Sequence, residues 1–400
     1  MSAKFSVIIP TQDRPQLLRL VVEAALQSKN VDVKIVVSDN STSLDFRDEN
    51  TSLMRPFIES GRVRLVRPPQ ILAAPEHFEF ALSFATEDYV AFLTDKMILL
   101  PSTLSKAAQS FNGSDAQIIN WSYRTFAFLE MESPGGPISL HHDPNRGAFE
   151  ASFYDPLDAL RFKSNVCVNR TRQKAPDYVL GKIIFGCYRS DLISQILMTS
   201  GTLFGGATHD YSAMVQALSI AKKCITLNEP GILFASLPLN ASLGSLTYYS
   251  APEAFRYYQT FRDPVHILNH LMVPGLWASQ HNMVAHDYIK FLGIYGRSQY
   301  FNERKWLEIV HQDLTMRSRV WADREEERLQ LEMFRNFLRA NGIRWNFPAA
   351  SWWRRQKIHA YGTSKGVARG VLSKIQRLSA KTTRGASPTY ESLEAALKTF

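Results

Sequence analysis

The chain has 400 residues, 45% hydrophobic and 21% charged, with three cysteines and a formal net charge of +9. No run approaches the roughly 18 apolar residues of a membrane-spanning helix. Cys167, Cys187 and Cys224 are far apart and form no C-x-x-C, which argues against a disulfide framework or a zinc site and for buried reduced thiols. The charge is localised. Between Ser351 and Gly385 there are nine basic residues and no acid, so the rest of the chain sums to zero. This is a neutral body with a basic tail. At roughly 150 residues per domain, the length fits two or three domains, or one large domain with appendages.

The opening MSAKFSVIIPTQDR reads as a first strand, Phe5–Pro10, rather than a signal peptide. In Pro15–Ser28, residues Leu17, Leu18, Val21, Val22, Ala25 and Leu26 share one helical face, and Pro15 suits a first turn. Val33–Val37 is a second strand, followed by the polar turn Ser-Asp-Asn-Ser-Thr. Val63–Val66 is a third. Glu76–Ala85 is helical, Tyr89–Leu93 a strand, Pro101–Ser110 a helix and Gln117–Trp121 a strand. Met131–Phe149 is rich in Pro, Gly and His and reads as an exposed loop or hairpin insertion. Gly181–Tyr188 reads as a strand, Asp191–Met198 as a helix, and His209–Ala221 as an amphipathic helix. Lys223–Ala235 contains a strand broken by Asn-Glu-Pro-Gly. From Ala251 to about Gly342 the pattern is helical, and Ala386–Phe400 is a short, weakly helical, flexible end.

Strands separated by helices of this length imply βαβ units and a mainly parallel sheet covered on both faces. Ligands of such sheets bind beyond the carboxyl ends of the strands. That rule selects Pro10–Arg14, Ser38–Ser41 and Thr94–Met97, which are all polar and all follow strands.

Three ordered segments carry a resemblance: FSVIIPTQDRPQLLRLVVEAALQS, VKIVVSDNSTS and HFEFALSFATEDYVAFLTDKMILLP. Together they resemble the nucleotide-sugar-binding half of family 2 glycosyltransferases, with Asp13 where asparagine is usual. A later segment, GGATHDYSAMVQALSIAKKCITLNEP, is similar to the family's acceptor-side helix, which opens with an acid. The resemblance covers about residues 4–245. It implies a GT-A fold, Rossmann-like, with a nucleotide-sugar half over 1–125 and an acceptor half over 150–248, then a helical region over 249–350 and the basic segment 351–385. It also implies inverting transfer of a sugar from a nucleoside diphosphate sugar to a hydroxyl acceptor.

That chemistry needs a grip on the nucleotide, neutralisation of the leaving diphosphate, and a general base on the opposite face. The resemblance gives Pro10, Thr11 and Arg14 to the nucleoside loop, although Arg14 on its own reads equally as a solvated charge. It makes Asp39 an acceptor for an imide N–H or a ribose hydroxyl, where a turn aspartate bonding its own backbone is the plain alternative. Asp210 becomes the base, at a helix start where acids are common for dipole reasons alone. His209 is a weaker second base. Ser242, Gly244 and Ser245 form a small-residue loop suited to an acceptor-side lid or to a plain connection.

In the family's D-x-D-type motif two or more acids follow the strand. Here the tetrad is Thr94-Asp95-Lys96-Met97. Asp95 fits the first acid, and Lys96 stands where a metal-ligating acid is often found. An ammonium cannot ligate Mg²⁺ or Mn²⁺ but can pair with phosphate oxygens. Three readings follow: a metal-independent transferase using Lys96, which is favoured; a weak Mg or Mn site through Asp95; or a degenerate, non-catalytic sugar-nucleotide binder or partner subunit.

In the basic segment, Val367, Ala368, Val371, Leu372, Ile375 and Leu378 fall on one helical side and Arg369, Lys374, Arg377 and Lys381 on the other, with Trp352 and Trp353 upstream. This suits an anionic membrane surface, which would bring the enzyme to a lipid-linked acceptor, or a helix packed on its own body. No nucleic-acid motif is present, so no nucleic-acid partner is expected. The sequence therefore reads as a cytoplasmic transferase, peripheral to the inner face of the membrane, serving surface polysaccharide or glycolipid assembly. A nucleotidyltransferase is disfavoured because no glycine-rich phosphate loop appears near residue 11.

Overall fold

The structure is a computed structural model. It describes residues 2–128, 138–141, 151–165, 178–235, 246–316, 319–344 and 389–398. The first half alternates strand and helix, with α2 and β5 added to the expected elements: β1 (Lys4–Thr11), α1 (Pro15–Leu26), β2 (Asp32–Asp39), α2 (Leu44–Glu59), β3 (Val63–Val66), α3 (Ala74–Leu82), β4 (Tyr89–Phe92), β5 (Met97–Leu99) and α4 (Thr103–Asn112). The apolar face of α1 is buried at Leu17, Leu18, Val21, Val22 and Ala25. Each of its larger side chains contributes about 1.5–3 kcal/mol relative to an exposed one.

The continuation is β6 (Ile118–Phe128), β7 (Ile138–His141), β8 (Ser152–Tyr154), α5 (Pro156–Asn165), β9 (Gly186–Arg189), α6 (Ser190–Ser200), α7 (His209–Ile220) and β10 (Cys224–Ala235). Then come α8 (Ala251–Gln259), α9 (Pro264–Asn269), α10 (Gln280–Ile294), α11 (Glu303–Leu314), α12 (Arg324–Ala340), β11 (Thr389–Tyr390) and α13 (Leu393–Leu397). Strands β3, β2, β1 and β4 run parallel in that order. Beyond β4 the sheet turns mixed: β9 is antiparallel to both β4 and β6, and β6 is parallel to β10. This is the helix-flanked, largely parallel α/β architecture, followed by helices, that the strand pattern implies.

Several expectations need correction. Helix α2 has no counterpart in the sequence reading, because it is strongly polar, buries only Asn50 and Met54, and carries Pro56. Its start is set by Ser43, whose Oγ accepts the Phe46 N–H at 3.2 Å. Gly181–Tyr188 is not one strand; a 3₁₀ turn at Ile183–Phe185 precedes β9. Helix α7 is not amphipathic. Residues Ser212–Ser219 are all buried, with α5 and α10 against it. The Asn-Glu-Pro-Gly break is a bulge within continuous β10, with register shifts around Pro230. By contrast, the expected 131–149 insertion does include a hairpin strand, since β7 pairs antiparallel with β6. The end of the chain adds an edge strand, β11, against β7, and buries Ala396 and Leu397, so residues 389–398 are not a free end. Cys187 and Cys224 are buried free thiols; burial pushes the Cys224 thiol up to about 12. Cys167 and the segment 351–385 lie outside the described residues.

Candidate active site

Register places the residues expected on the donor side. In the β1–β2 pair Thr11 stands opposite Asp39, and in the β1–β4 pair Ile8 stands opposite Phe92. Three residues beyond each of the latter pair lie Thr11 and Asp95, so the three strands deliver Thr11, Asp39 and Asp95 to one carboxyl edge. Asp95 is nearly fully buried and densely bonded. Thr11 Oγ1 donates to its Oδ2 at 3.0 Å, the Gln12 N–H at 3.4 Å, and Arg14 Nη1 to its Oδ1 at 3.1 Å. Arg14, at the start of α1, is therefore an ion-pair partner and not a solvated charge. Pro10 is buried within β1.

Asp13 has a φ of +56°. Asparagine and aspartate tolerate this left-handed backbone best among side-chain-bearing residues, so the exchange of the family's asparagine keeps the turn. Its carboxylate accepts the Thr42 N–H at 2.8 Å and the Thr42 hydroxyl at 3.0 Å, while its own N–H donates to Ser41 Oγ at 3.1 Å. The loops after β1 and β2 are thus latched together.

Asp39 does not offer an open carboxylate. Its side chain is 0% exposed. Oδ1 accepts from the Ser41 N–H at 3.0 Å and Asn50 Nδ2 at 3.1 Å; Oδ2 accepts from Arg67 Nε at 2.9 Å. The direct acceptor role expected of Asp39 is not available in this arrangement, because both oxygens are taken and the side chain is covered. It shapes the loop from beneath. Of the two sequence alternatives, the bond to its own turn (the Ser41 N–H) is present.

Helix α3 links this edge to the second half. His77 is buried, and its Nε2 lies 3.0 Å from the Ser38 carbonyl, which can only accept, so Nε2 carries the proton. Burial pulls its pKa down to about 4, so the ring is neutral near pH 7. The Phe78 ring lies 4.0 Å from that of His209. Glu79 accepts the backbone N–H groups of Leu203 and Phe204, at 3.0 and 2.7 Å, and the Thr202 hydroxyl at 2.8 Å. From the other side Asp287, on α10, accepts the N–H groups of Ala207 and Thr208, each at 2.7 Å. Two carboxylates thus pin the 202–208 loop that launches α7.

At the start of α7, Asp210 Oδ2 accepts from Lys182 Nζ at 2.9 Å; the lysine side chain is 0% exposed and that of Asp210 16%. Burial alone would raise the Asp210 carboxyl, but Lys182, by charge and hydrogen bond, and His209 together hold it below its ordinary value. Burial likewise opposes the Lys182 charge, and Asp210 and Tyr178 more than compensate, so its pKa is raised. The His209 imidazole is depressed by burial first and then by the Lys96 and Lys182 ammonium groups, against the opposing pull of Asp210. Lys96, partly buried, is therefore within electrostatic reach of His209.

The structure brings Thr11, Arg14 and Asp95 into direct contact at one place and Lys182 and Asp210 at another, with His209 next to Asp210 in the chain and Lys96 near enough to act on the His209 ring. Lys182, Asp287 and Glu79 were missed. A lysine inside the apolar run Leu180–Phe185 was the available signal for the first. Ser242, Gly244 and Ser245 lie outside the described residues.

The residues present do not fit a resident divalent cation. Asp95 already accepts from three donors, an ammonium follows it, and among the described residues no group of three or more His, Cys, Asp or Glu could hold a metal.

This α/β sheet carries polar loops at its carboxyl edge and a buried aspartate just beyond the fourth strand, the layout expected of a GT-A sheet. Over residues 6–129 the chain matches the model described as glycosyl transferase family 2, so Thr11, Arg14, Asp39 and Asp95 all lie within a family 2 region. The chain is similar to Protein CgeD of Bacillus subtilis (strain 168), 24% identical over 199 residues, which are 48% of this chain and 43% of that protein. It thus spans less than half the length of this curated relative. Among solved structures it is similar to S. aureus TarS 1–349 in complex with UDP, at 14% identity over 87% of this chain and 94% of that one, TM-score 0.44. Another is the mannosyltransferase PcManGT from Pyrobaculum calidifontis in complex with GDP-Man and Mn²⁺, at 11% identity, 95% and 84% coverage, TM-score 0.41. Among the described residues no helix is long and apolar enough to cross a membrane.

Proposed function

We propose that the protein transfers a sugar, with inversion, from a nucleoside diphosphate sugar to a hydroxyl acceptor. The observation that carries this reading is the position of Lys96. It follows Asp95 at the donor edge, and its ammonium also acts on the ring of His209, the neighbour of Asp210 at the start of α7. A diphosphate beside Lys96 would then lie on the side that faces His209 and its neighbour Asp210. The acceptor oxygen attacks the anomeric carbon, and its proton passes to Asp210. The bond from that carbon to the diphosphate breaks, and the electron pair leaves with the phosphate, opposite Lys96. Arg14, Thr11 and Asp95 hold the nucleoside side, and Asp39 supports their loop from beneath. Lipid-linked or saccharide acceptors of surface-polymer assembly, met at an anionic membrane face through residues 351–385 on the cytoplasmic side, are the substrates this reading favours.

The test is donor binding and turnover with UDP-, GDP- and dTDP-sugars. Asp210→Asn should keep donor binding and lose turnover by at least about 100-fold, the usual size of a general-base contribution. Asp95→Ala should lose both. Full turnover by both variants, or binding of no donor by the parent protein, sinks the reading.

A further inference from the structure

Lys182 is a charged side chain with none of its surface exposed, and leaving a charge there costs several kcal/mol unless it is compensated. Its surroundings are built for it. The ammonium lies 2.9 Å from Asp210 Oδ2, 4.1 Å from the Tyr178 ring centroid and 3.9 Å from that of Tyr211. An aromatic face is an electrostatic partner for a cation, and more so where water is excluded. The backbone is held equally firmly. Buried Asn120, on β6, donates to the Lys182 carbonyl at 3.0 Å and to the Phe185 carbonyl at 3.2 Å, and accepts the Gly181 N–H at 2.8 Å. Gly181 has a φ of +75°, and a Cβ there would lie 2.6 Å from Leu218 of α7. The lysine is thus presented by a turn fitted against the same helix that carries Asp210.

We propose that Lys182 is a positioning residue for the transfer reaction: it fixes the Asp210 carboxylate at the start of α7 and keeps it ionised. This rests on the assignment of Asp210 as base. A carboxylate tied to an ammonium is a weak base toward an ordinary hydroxyl. It becomes competent late in the displacement, when bonding to the anomeric carbon has made the acceptor proton acidic, so a permanently ionised carboxylate in a fixed place is the useful form. Without the lysine, burial would favour the protonated acid, which accepts no proton.

The other titratable groups facing Asp210 are few. His209 precedes it on α7, with Lys96 beyond. Tyr188 of β9 and Tyr257 of α8 also feel its charge, and burial raises both phenols, so they stay neutral. The pH response of Asp210 therefore depends mainly on Lys182.

The experiment is the pH profile of kcat/KM for hydrolysis of whichever of UDP-glucose, GDP-mannose and dTDP-glucose the parent protein turns over, in the full chain. Lys182→Met should move the acid limb upward by about one to three pH units, the usual effect of removing an opposite charge from a carboxylate. Lys182→Arg, which keeps the charge, should leave the limb nearly in place. An unmoved limb in Lys182→Met overturns the proposal, as does an equal shift in both variants. If Lys182→Met does not fold, the double variant Lys182→Met/Asp210→Asn decides. Recovery of a cooperative melt shows that the cost lay in the stranded carboxylate, as proposed. Failure of the double variant makes Lys182 a packing element and overturns it. Asp210→Asn with parental turnover would instead remove the base assignment, an outcome separate from any of these.

Discussion

Asp287 and Thr208 are 79 positions apart, and the carboxylate of the first accepts the backbone N–H of the second at 2.7 Å. The Thr208 hydroxyl donates to the same oxygen, and the Ala207 N–H to the other. The helical region thus reaches into the turn that starts α7. Asp287→Ala would strand two buried N–H groups, at about 1–3 kcal/mol each. The expected result is a clear fall in melting temperature and a fall in turnover larger than any change in donor binding. Parental turnover in a protein of reduced stability would mean that the turn does not depend on α10.

Arg14 and Thr11 both bond Asp95 but differ in kind. Arg14→Ala removes a charge from a nearly buried carboxylate, whereas Thr11→Val removes one neutral donor at nearly the same volume. Hydrogen bonds to charged groups are worth about 1.5–3 kcal/mol, and the ion pair adds to that. Donor affinity measured by calorimetry should fall about tenfold or more in Arg14→Ala and less in Thr11→Val. Equal effects would show that the charge is irrelevant to the donor.

Lys96 follows Asp95 in the chain and acts electrostatically on His209. If it meets the diphosphate, Lys96→Ala should lose at least about tenfold in turnover, and chelation by EDTA should leave the parent protein unaffected. Turnover that collapses in EDTA, and returns with Mg²⁺ or Mn²⁺, would count against the lysine and for an ion recruited with substrate.

The Lys182–Asp210 pair also sets a window of stability. The Asp210 carboxyl is depressed in the fold, so its contribution is present above the ordinary carboxylate range and is lost as pH falls through the depressed value. The Lys182 ammonium is raised, so its contribution is present below the ordinary lysine value and is lost as pH rises through the raised one. Thermal melts should therefore separate the parent protein from Asp210→Asn most widely in the neutral range. They should converge as pH falls well below about 4. A gap independent of pH would argue that the asparagine acts through packing alone.

The donor half was legible because its signals are local. The apolar run of β1, the amphipathic face of α1 and the polar breaks at Thr11, Asp39 and Asp95 all sit within short windows, and parallel pairing then puts the breaks on one edge. Helix α2 escaped because its residues favour water on nearly every side. Helix α7 was misread because periodicity reports one covered face, while α5 and α10 cover the others. The supports of Asp210 escaped for a different reason. Lys182 pairs with it over 28 positions and Asp287 bonds Thr208 over 79, and the apolar run around Lys182 marks the lysine as unusual without naming its counter-group. Asp39 shows the converse: its strand-end position was read correctly, yet Asn50 and Arg67, which close over it, lie on elements whose docking the turn itself does not reveal.

The short strand β11 changes what the basic stretch can be. Helix α12 ends at Ala340, and the chain is back on the sheet edge at Thr389, hydrogen-bonded to β7 and followed by buried Ala396 and Leu397. The stretch with the nine basic residues therefore leaves the body after α12 and rejoins it at β11, so a partner that binds it acts on two described points of the body and not on one.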